Sequence, residues 1–198
     1  MGIIKPTHSP FNSPVWPVKK PDGSWCMTVD YRELNKVTPP LHAAVPSLAV
    51  LRDTLSHELG MYHYVVDLAN AFFSIHITQE SQEQFVFTWE VWQWTFTVLP
   101  QGYLHSPTIC HGPVAQDLVT WKKPQMVQLC HYIDDIMLMS DSLADLEGAV
   151  PRLLQHLQEK GWAVNSTKVQ GPGLSVKFLA VVWLIKTKVI PEAVTDKV

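Results

Sequence analysis

HYIDDIMLMS, residues 131–140, sets two adjacent carboxylates, Asp134 and Asp135, between two runs of strand-forming apolar residues. Charges in such a place cost free energy unless something compensates them. VQLCHYI (127–133) and IMLMS (136–140) read as two strands joined at Asp134 and Asp135, a hairpin with its acids at the turn. Upstream, YHYVVDL (62–68) is rich in β-branched and aromatic residues and reads as a buried strand delivering Asp67 at its C-terminal end. One shared sheet would bring the three acids to one edge. Three carboxylates there repel one another, and a divalent cation is the usual remedy. Oxygen ligands with no His/Cys cluster nearby favour Mg²⁺ or Mn²⁺. Two such ions clamp the attacking and leaving oxygens of a phosphoryl transfer. Taken alone, the Asp-Asp pair has a commoner meaning, a solvated hairpin turn.

Outward from this hairpin the chain mixes strands and helices without strict βαβ alternation, which points to an α+β fold with an antiparallel sheet. Near the start, VWPVKK and WCMTV flank the turn sequence PDGS and read as a hairpin. PSLAVLRDTL reads as a helix with Pro46 in its first turn. FVFTW and WTFTVL read as a second hairpin around EVWQ. SPTICHGPVAQDLVTW reads as a helix with Ser106 as N-cap, Pro107 as first helical residue and a bend at Pro113. Leu143, Leu146, Val150, Leu153, Leu154 and Leu157 follow helical spacing up to Gly161, with Pro151 expected to kink or divide that helix. VKFLAVVWLIKTKVI reads as a final hairpin or edge pair.

The chain has 198 residues, 46% of them hydrophobic, enough for a buried core in one or two compact units. Its net charge of −3 excludes a polycation that binds nucleic acid through bulk electrostatics. Residues 5–36 hold five Lys/Arg against three Asp/Glu, which suits a solvated face as well as a phosphate site. Cys26, Cys110 and Cys130 show no metal-ligand spacing, and their odd count argues for free thiols in a reducing compartment. His105, Cys110 and His111 are a weak zinc candidate among nine scattered histidines. The apolar run at 178–185 is far short of the ~20 residues of a membrane span. The N-terminus carries neither a secretory signal nor a myristoylation motif, so an intracellular, cytoplasmic protein without a membrane partner is expected.

YIDD between apolar strands resembles the YxDD box of reverse transcriptases, and other segments follow that family's order. FNSPVWPVKKPDGSW and VDYRELNK resemble the fingers hairpin of retroviral enzymes, VVDLANAFFSI the motif of the first catalytic aspartate, and LPQGYLHSP the nucleotide-pocket motif. GWAVNSTKVQ and KFLAVVW resemble the closing lysine motif and the primer-grip hairpin. From about Phe11 to the C-terminus the chain is therefore similar to a retroviral polymerase, in an endogenous copy. The resemblance implies a right-hand polymerase fold with an antiparallel palm sheet packed on helices. The fingers would occupy 1–39 and 75–105, and the palm 40–74 and 106–198. Thumb, connection and ribonuclease H regions would lie outside this chain.

The resemblance also implies site residues. Asp67 and Asp134 would hold two Mg²⁺ or Mn²⁺ ions with Asp135 in support, and Lys168 would protonate the leaving pyrophosphate. Lys20, Ala71, Phe72 and Gln101 would meet the incoming deoxynucleotide, with Phe72 excluding a 2′-hydroxyl. Tyr132, Phe178, Leu179, Ala180 and Val181 would hold the primer. The partners would be an RNA or DNA template with a DNA primer, dNTPs, and the remaining Pol regions in a longer product. Two positions depart from the pattern: Cys26 stands where the family has an arginine over the nucleotide, and Ala180 where it has glycine. The implied activity is thus RNA-directed DNA polymerisation, weakened or lost in the isolated fragment. The alternatives are a catalytically dead remnant that binds at most nucleic acid or protein, and an unrelated metal-dependent nuclease, which would not require the LPQG or fingers motifs.

Overall fold

The computed structural model describes residues 2–20, 23–42, 45–58, 62–184 and 187–189. In chain order it forms β1 (Ile4–Pro6), β2 (Val15–Lys19), β3 (Trp25–Val29), α1 (Arg32–Val37), α2 (Leu48–Glu58) and β4 (Tyr62–Asp67). A 3₁₀ turn (Ala71–Ser74), the one-turn α3 (Gln79–Gln82), β5 (Phe87–Trp89), β6 (Trp92–Phe96) and α4 (Ser106–Val119) follow. The remainder is β7 (Gln128–Tyr132), β8 (Asp135–Ser140), α5 (Leu143–Glu159), β9 (Gln170–Gly173), β10 (Ser175–Phe178), β11 (Val181–Leu184) and β12 (Thr187–Val189). Two compact units result, Met1–Ala43 with Asn70–Cys110, and Ala44–Ala69 with His111–Val198. Among the described residues no helix is long and apolar enough to cross a membrane.

The first unit holds the β2–β3 hairpin and an antiparallel sheet of order β1-β6-β5. Pro21 and Asp22 of the expected turn lie outside the described residues. β5 and β6 join through Glu90 and Val91 alone, so Trp92 and Gln93 belong to the strand rather than to the wider EVWQ loop expected. Glu90 carries the positive φ, 56°, that so short a connection needs. Val29, Tyr31, Phe85 and Phe87 form this unit's core. The Tyr31 hydroxyl donates to the Phe85 carbonyl at 3.0 Å, which leaves the buried phenol satisfied.

The second unit is built on a four-stranded antiparallel sheet of order β7-β8-β4-β9. α5 packs across β8, β4 and β9 through buried Leu146, Ala149, Leu153 and Leu157. Ser142 caps α5 by accepting the Asp145 N–H at 3.2 Å. Of the two outcomes expected at Pro151, a kink or a division, the helix shows no division and runs from Leu143 to Glu159. Another layer joins Val65, Met137, Met139 and Cys130 of the sheet to Leu55 of α2 and to Val176, Phe178, Val181 and Trp183 of a second sheet, β10-β11-β12. Pro46 precedes α2 instead of opening it, and Ser47 is the cap, accepting the Val50 N–H at 3.2 Å. Ser106 does not cap α4: its hydroxyl donates to the Pro100 carbonyl at 2.7 Å.

Candidate active site

β4 and β8 pair without a slip from Tyr62↔Ser140 to Asp67↔Asp135, and β7 adds Tyr132↔Asp135. Directly opposed residues of antiparallel strands project to the same face, so Tyr132, Asp135 and Asp67 form a row across three strands. The acids are not both in the turn, as the sequence suggests: Asp135 opens β8, and the connection is Ile133–Asp134. Ile133 adopts φ 58° at the first loop position of this hairpin, where glycine is usual and a β-branched residue is an outlier. The Asp134 carbonyl accepts the Leu68 N–H at 2.9 Å, which fastens the turn to the end of β4. Asp67 and Asp134 are thus on the same sheet edge.

From the other side, Asn165 fixes Asp67. Its N–H donates to the Asp67 carbonyl at 2.9 Å, and its side-chain oxygen accepts from the Thr167 N–H and hydroxyl at 3.3 and 2.7 Å. The Lys168 N–H then returns to the Asn165 carbonyl at 3.0 Å, closing a turn that aims the lysine at the acids. Lys168 Nζ donates to both Asp67 oxygens, at 3.2 and 3.1 Å. With its side chain 61% exposed against 14% for Asp67, this is a loose ion pair that a stronger cation can displace. Sequence reasoning does not single out Asn165, although Asn before Ser-Thr signals local side-chain-to-backbone bonding.

Burial, then repulsion from Asp134 and Asp67, pushes the Asp135 carboxyl up to about 6, against only partial relief from Lys168. Burial likewise raises Asp134, with Asp67 adding to the effect. Negative charge here is under-compensated. Among the described residues no three His, Cys, Asp or Glu side chains form a ready-made metal cage, and the His105, Cys110, His111 candidate is not gathered either. The donor set still fits Mg²⁺ or Mn²⁺, because Mg²⁺ is commonly held by one or two carboxylates plus substrate phosphates.

The family model for reverse transcriptase (RNA-dependent DNA polymerase) matches residues 18–183, which include all of this edge. The chain belongs to the reverse transcriptase family. The chain is 39% identical over 171 residues to the Gag-Pol polyprotein of walleye dermal sarcoma virus, covering 85% of the chain and 10% of that protein. It is 36% identical over 178 residues to the Gag-Pol polyprotein of baboon endogenous virus (strain M7), covering 86% of the chain and 10% of the relative. The chain therefore spans about a tenth of the length of these curated relatives. The foamy viral protease-reverse transcriptase in complex with RNA/DNA hybrid superposes with TM-score 0.82 at 29% identity, over 99% of this chain and 26% of that one. The mixed helix and antiparallel-sheet architecture is that of the fingers and palm of such enzymes.

The other expected site residues divide between the units. Lys20, Cys26, Ala71, Phe72 and Gln101 fall in the first; Tyr132, Phe178, Leu179, Ala180 and Val181 fall in the second with the acids. Lys20 and Gln101 are exposed, Phe72 is half-buried and Ala71 is buried. The Cys26 thiol turns to the Met27 carbonyl, 3.6 Å away. Phe178, Leu179 and Val181 are buried in the core, so Ala180 and the backbone are what the β10–β11 turn presents outward. Both loop residues are left-handed, Leu179 at φ 53° and Ala180 at φ 58°. The Arg52 guanidinium of α2 donates to the Leu179 carbonyl and pins that turn.

Proposed function

We propose that the chain is the fingers and palm of an RNA-directed DNA polymerase, with template-directed transfer of deoxynucleotides at the Asp67–Asp134–Asp135 edge. The Asp67↔Asp135 register beside the Asp134 turn carries this reading, because it concentrates carboxylates that the Lys168 ammonium offsets only in part. On this reading the unit Met1–Ala43 with Asn70–Cys110 is the fingers and the other is the palm. Asp67 and Asp134 are the residues that would hold two Mg²⁺ or Mn²⁺ ions, with Asp135 supporting them. When bound, such ions offset charge on the attacking 3′-oxygen and the leaving pyrophosphate.

The chain's own groups do the rest. Lys168, released from Asp67, holds the proton that the leaving pyrophosphate takes up. Lys20 places an ammonium on the triphosphate, Gln101 hydrogen-bonds the nucleotide, and Phe72 beside Ala71 excludes a 2′-hydroxyl by bulk. Tyr132 and the Phe178–Val181 turn position the primer, the latter through backbone and Ala180. The partners are a primed RNA or DNA template and dNTPs, in keeping with the RNA/DNA-hybrid and double-stranded DNA complexes of the foamy viral enzymes.

A second reading, an inactive fold that retains nucleic-acid binding, is favoured by one observation: Cys26 offers neither a permanent charge nor a five-donor fork to a nucleotide. Primer extension on an RNA template with Mg²⁺ and dNTPs separates the two. The first reading predicts extension by the wild-type chain and none by Asp134→Asn. Extension that persists in Asp134→Asn contradicts the site, and extension by neither, with template-primer still bound, supports the second reading.

A further inference from the structure

Ile133 is held by two histidines. Its N–H donates to His111 Nδ1 at 3.1 Å, and its carbonyl accepts from His131 Nε2–H at 2.8 Å. The two imidazoles stack with centroids 4.3 Å apart and planes 9° from parallel. One residue thus has both backbone polar groups bound by side chains from different elements, His111 on α4 and His131 on β7. That residue is the β-branched one at φ 58°, immediately before Asp134. Left-handed backbone at such a residue persists only where its surroundings over-determine it. We propose that His111 and His131 form a clamp on the two peptide groups flanking Ile133 that fixes the Asp134 turn, making them positioning residues for the carboxylate edge; this rests on the catalytic reading of that edge.

The chemistry of the pair is specific. To accept an N–H, His111 Nδ1 must lack a proton, and to donate to a carbonyl, His131 Nε2 must carry one. His111 must therefore be the neutral tautomer protonated at Nε2; the His131 bond needs only its Nε2–H, and a neutral His131 completes an uncharged stack. Burial favours this, lowering His111 and bringing His131 down to about 4. Space-filling alone would not require one ring to accept from, and the other to donate to, the two peptide groups that flank Ile133.

Two measurements on the full chain test the clamp. Hydrogen exchange at the Ile133 amide, followed by NMR, reads the His111 bond directly. His111→Leu should accelerate it about tenfold more than the amides of Ile136 and Leu138, whereas His111→Asn, which puts an acceptor oxygen near Nδ1, should restore protection. Mn²⁺ affinity, from the spin-resonance signal of free ion, reads the carboxylates. His131→Leu should weaken it about tenfold, as supporting-shell losses commonly do, and His131→Gln, which keeps a donor near Nε2, should recover most of it. The clamp is overturned when Ile133 exchange is unchanged in His111→Leu, or when the conservative variants lose as much as the leucine variants. A wild-type chain that binds no Mn²⁺ at the acids removes the catalytic reading instead, and Ile133 exchange then decides the clamp alone.

Discussion

Asp135→Asn should stabilise the protein, and only above a definite pH. Burial and the neighbouring acids raise Asp135 from 3.8 to about 6. Between those values the folded chain binds more protons at this site than the unfolded chain does. The site's contribution is therefore most favourable below 3.8 and is lost as pH rises through about 6. The difference corresponds to at most about 3 kcal/mol, and residual solvent contact brings the expected effect nearer ~2 kcal/mol. Asparagine keeps the shape and does not titrate. Urea unfolding in EDTA should find Asp135→Asn matching the wild type near pH 4 and exceeding it by ~2 kcal/mol at pH 7.5. His131 titrates in the opposite sense, losing stability as pH falls from 6.5 towards about 4, but it is common to both proteins and cancels. A difference that does not change with pH, or an Asn variant weaker at pH 7.5, refutes the electrostatic reasoning. Adding Mn²⁺ at pH 7.5 should narrow the gap, since only the wild type keeps the full acid set.

Ala180→Gly should raise stability by roughly 0.5 kcal/mol in urea, the relief of a left-handed Ala at φ 58° less glycine's greater unfolded-state freedom. His63 is fully buried on β4 with neither ring nitrogen hydrogen-bonded, so His63→Leu should gain about 1–2 kcal/mol at pH 7.5. Because burial lowers the His63 pKa below 6.5, that gain should grow as pH falls to 5.5, read from the same urea midpoints. Ser142→Ala should cost about 1 kcal/mol by removing the α5 cap, with no change in Mn²⁺ affinity.

Strands and acids were legible because their signals are local. The β-branched run ending in Asp67, the PDGS turn and the leucine spacing of α5 each name their element, and the ordered motifs place those elements in one family. What the sequence concealed depends on partners distant in the chain. Ser106 looks like a cap, but the Pro100 carbonyl lies within reach of its hydroxyl. Pro151 looks like a breaker, but packing of Leu146 and Leu153 on the sheet carries α5 past it. Asp135 looks like a turn residue until β4 is known to continue opposite it. Asn165, His111 and His131 act on backbone groups 98, 22 and two residues away in the chain, and no spacing rule announces the first two of these pairings.

The central claim concerns where a cation goes, and paramagnetic broadening maps that directly. Titrating Mn²⁺ into the ¹⁵N-labelled chain should broaden first the amides around Asp67, Asp134 and Asp135, and Asp67→Asn with Asp134→Asn should abolish the effect. Broadening centred elsewhere, or unchanged in that double variant, contradicts the account.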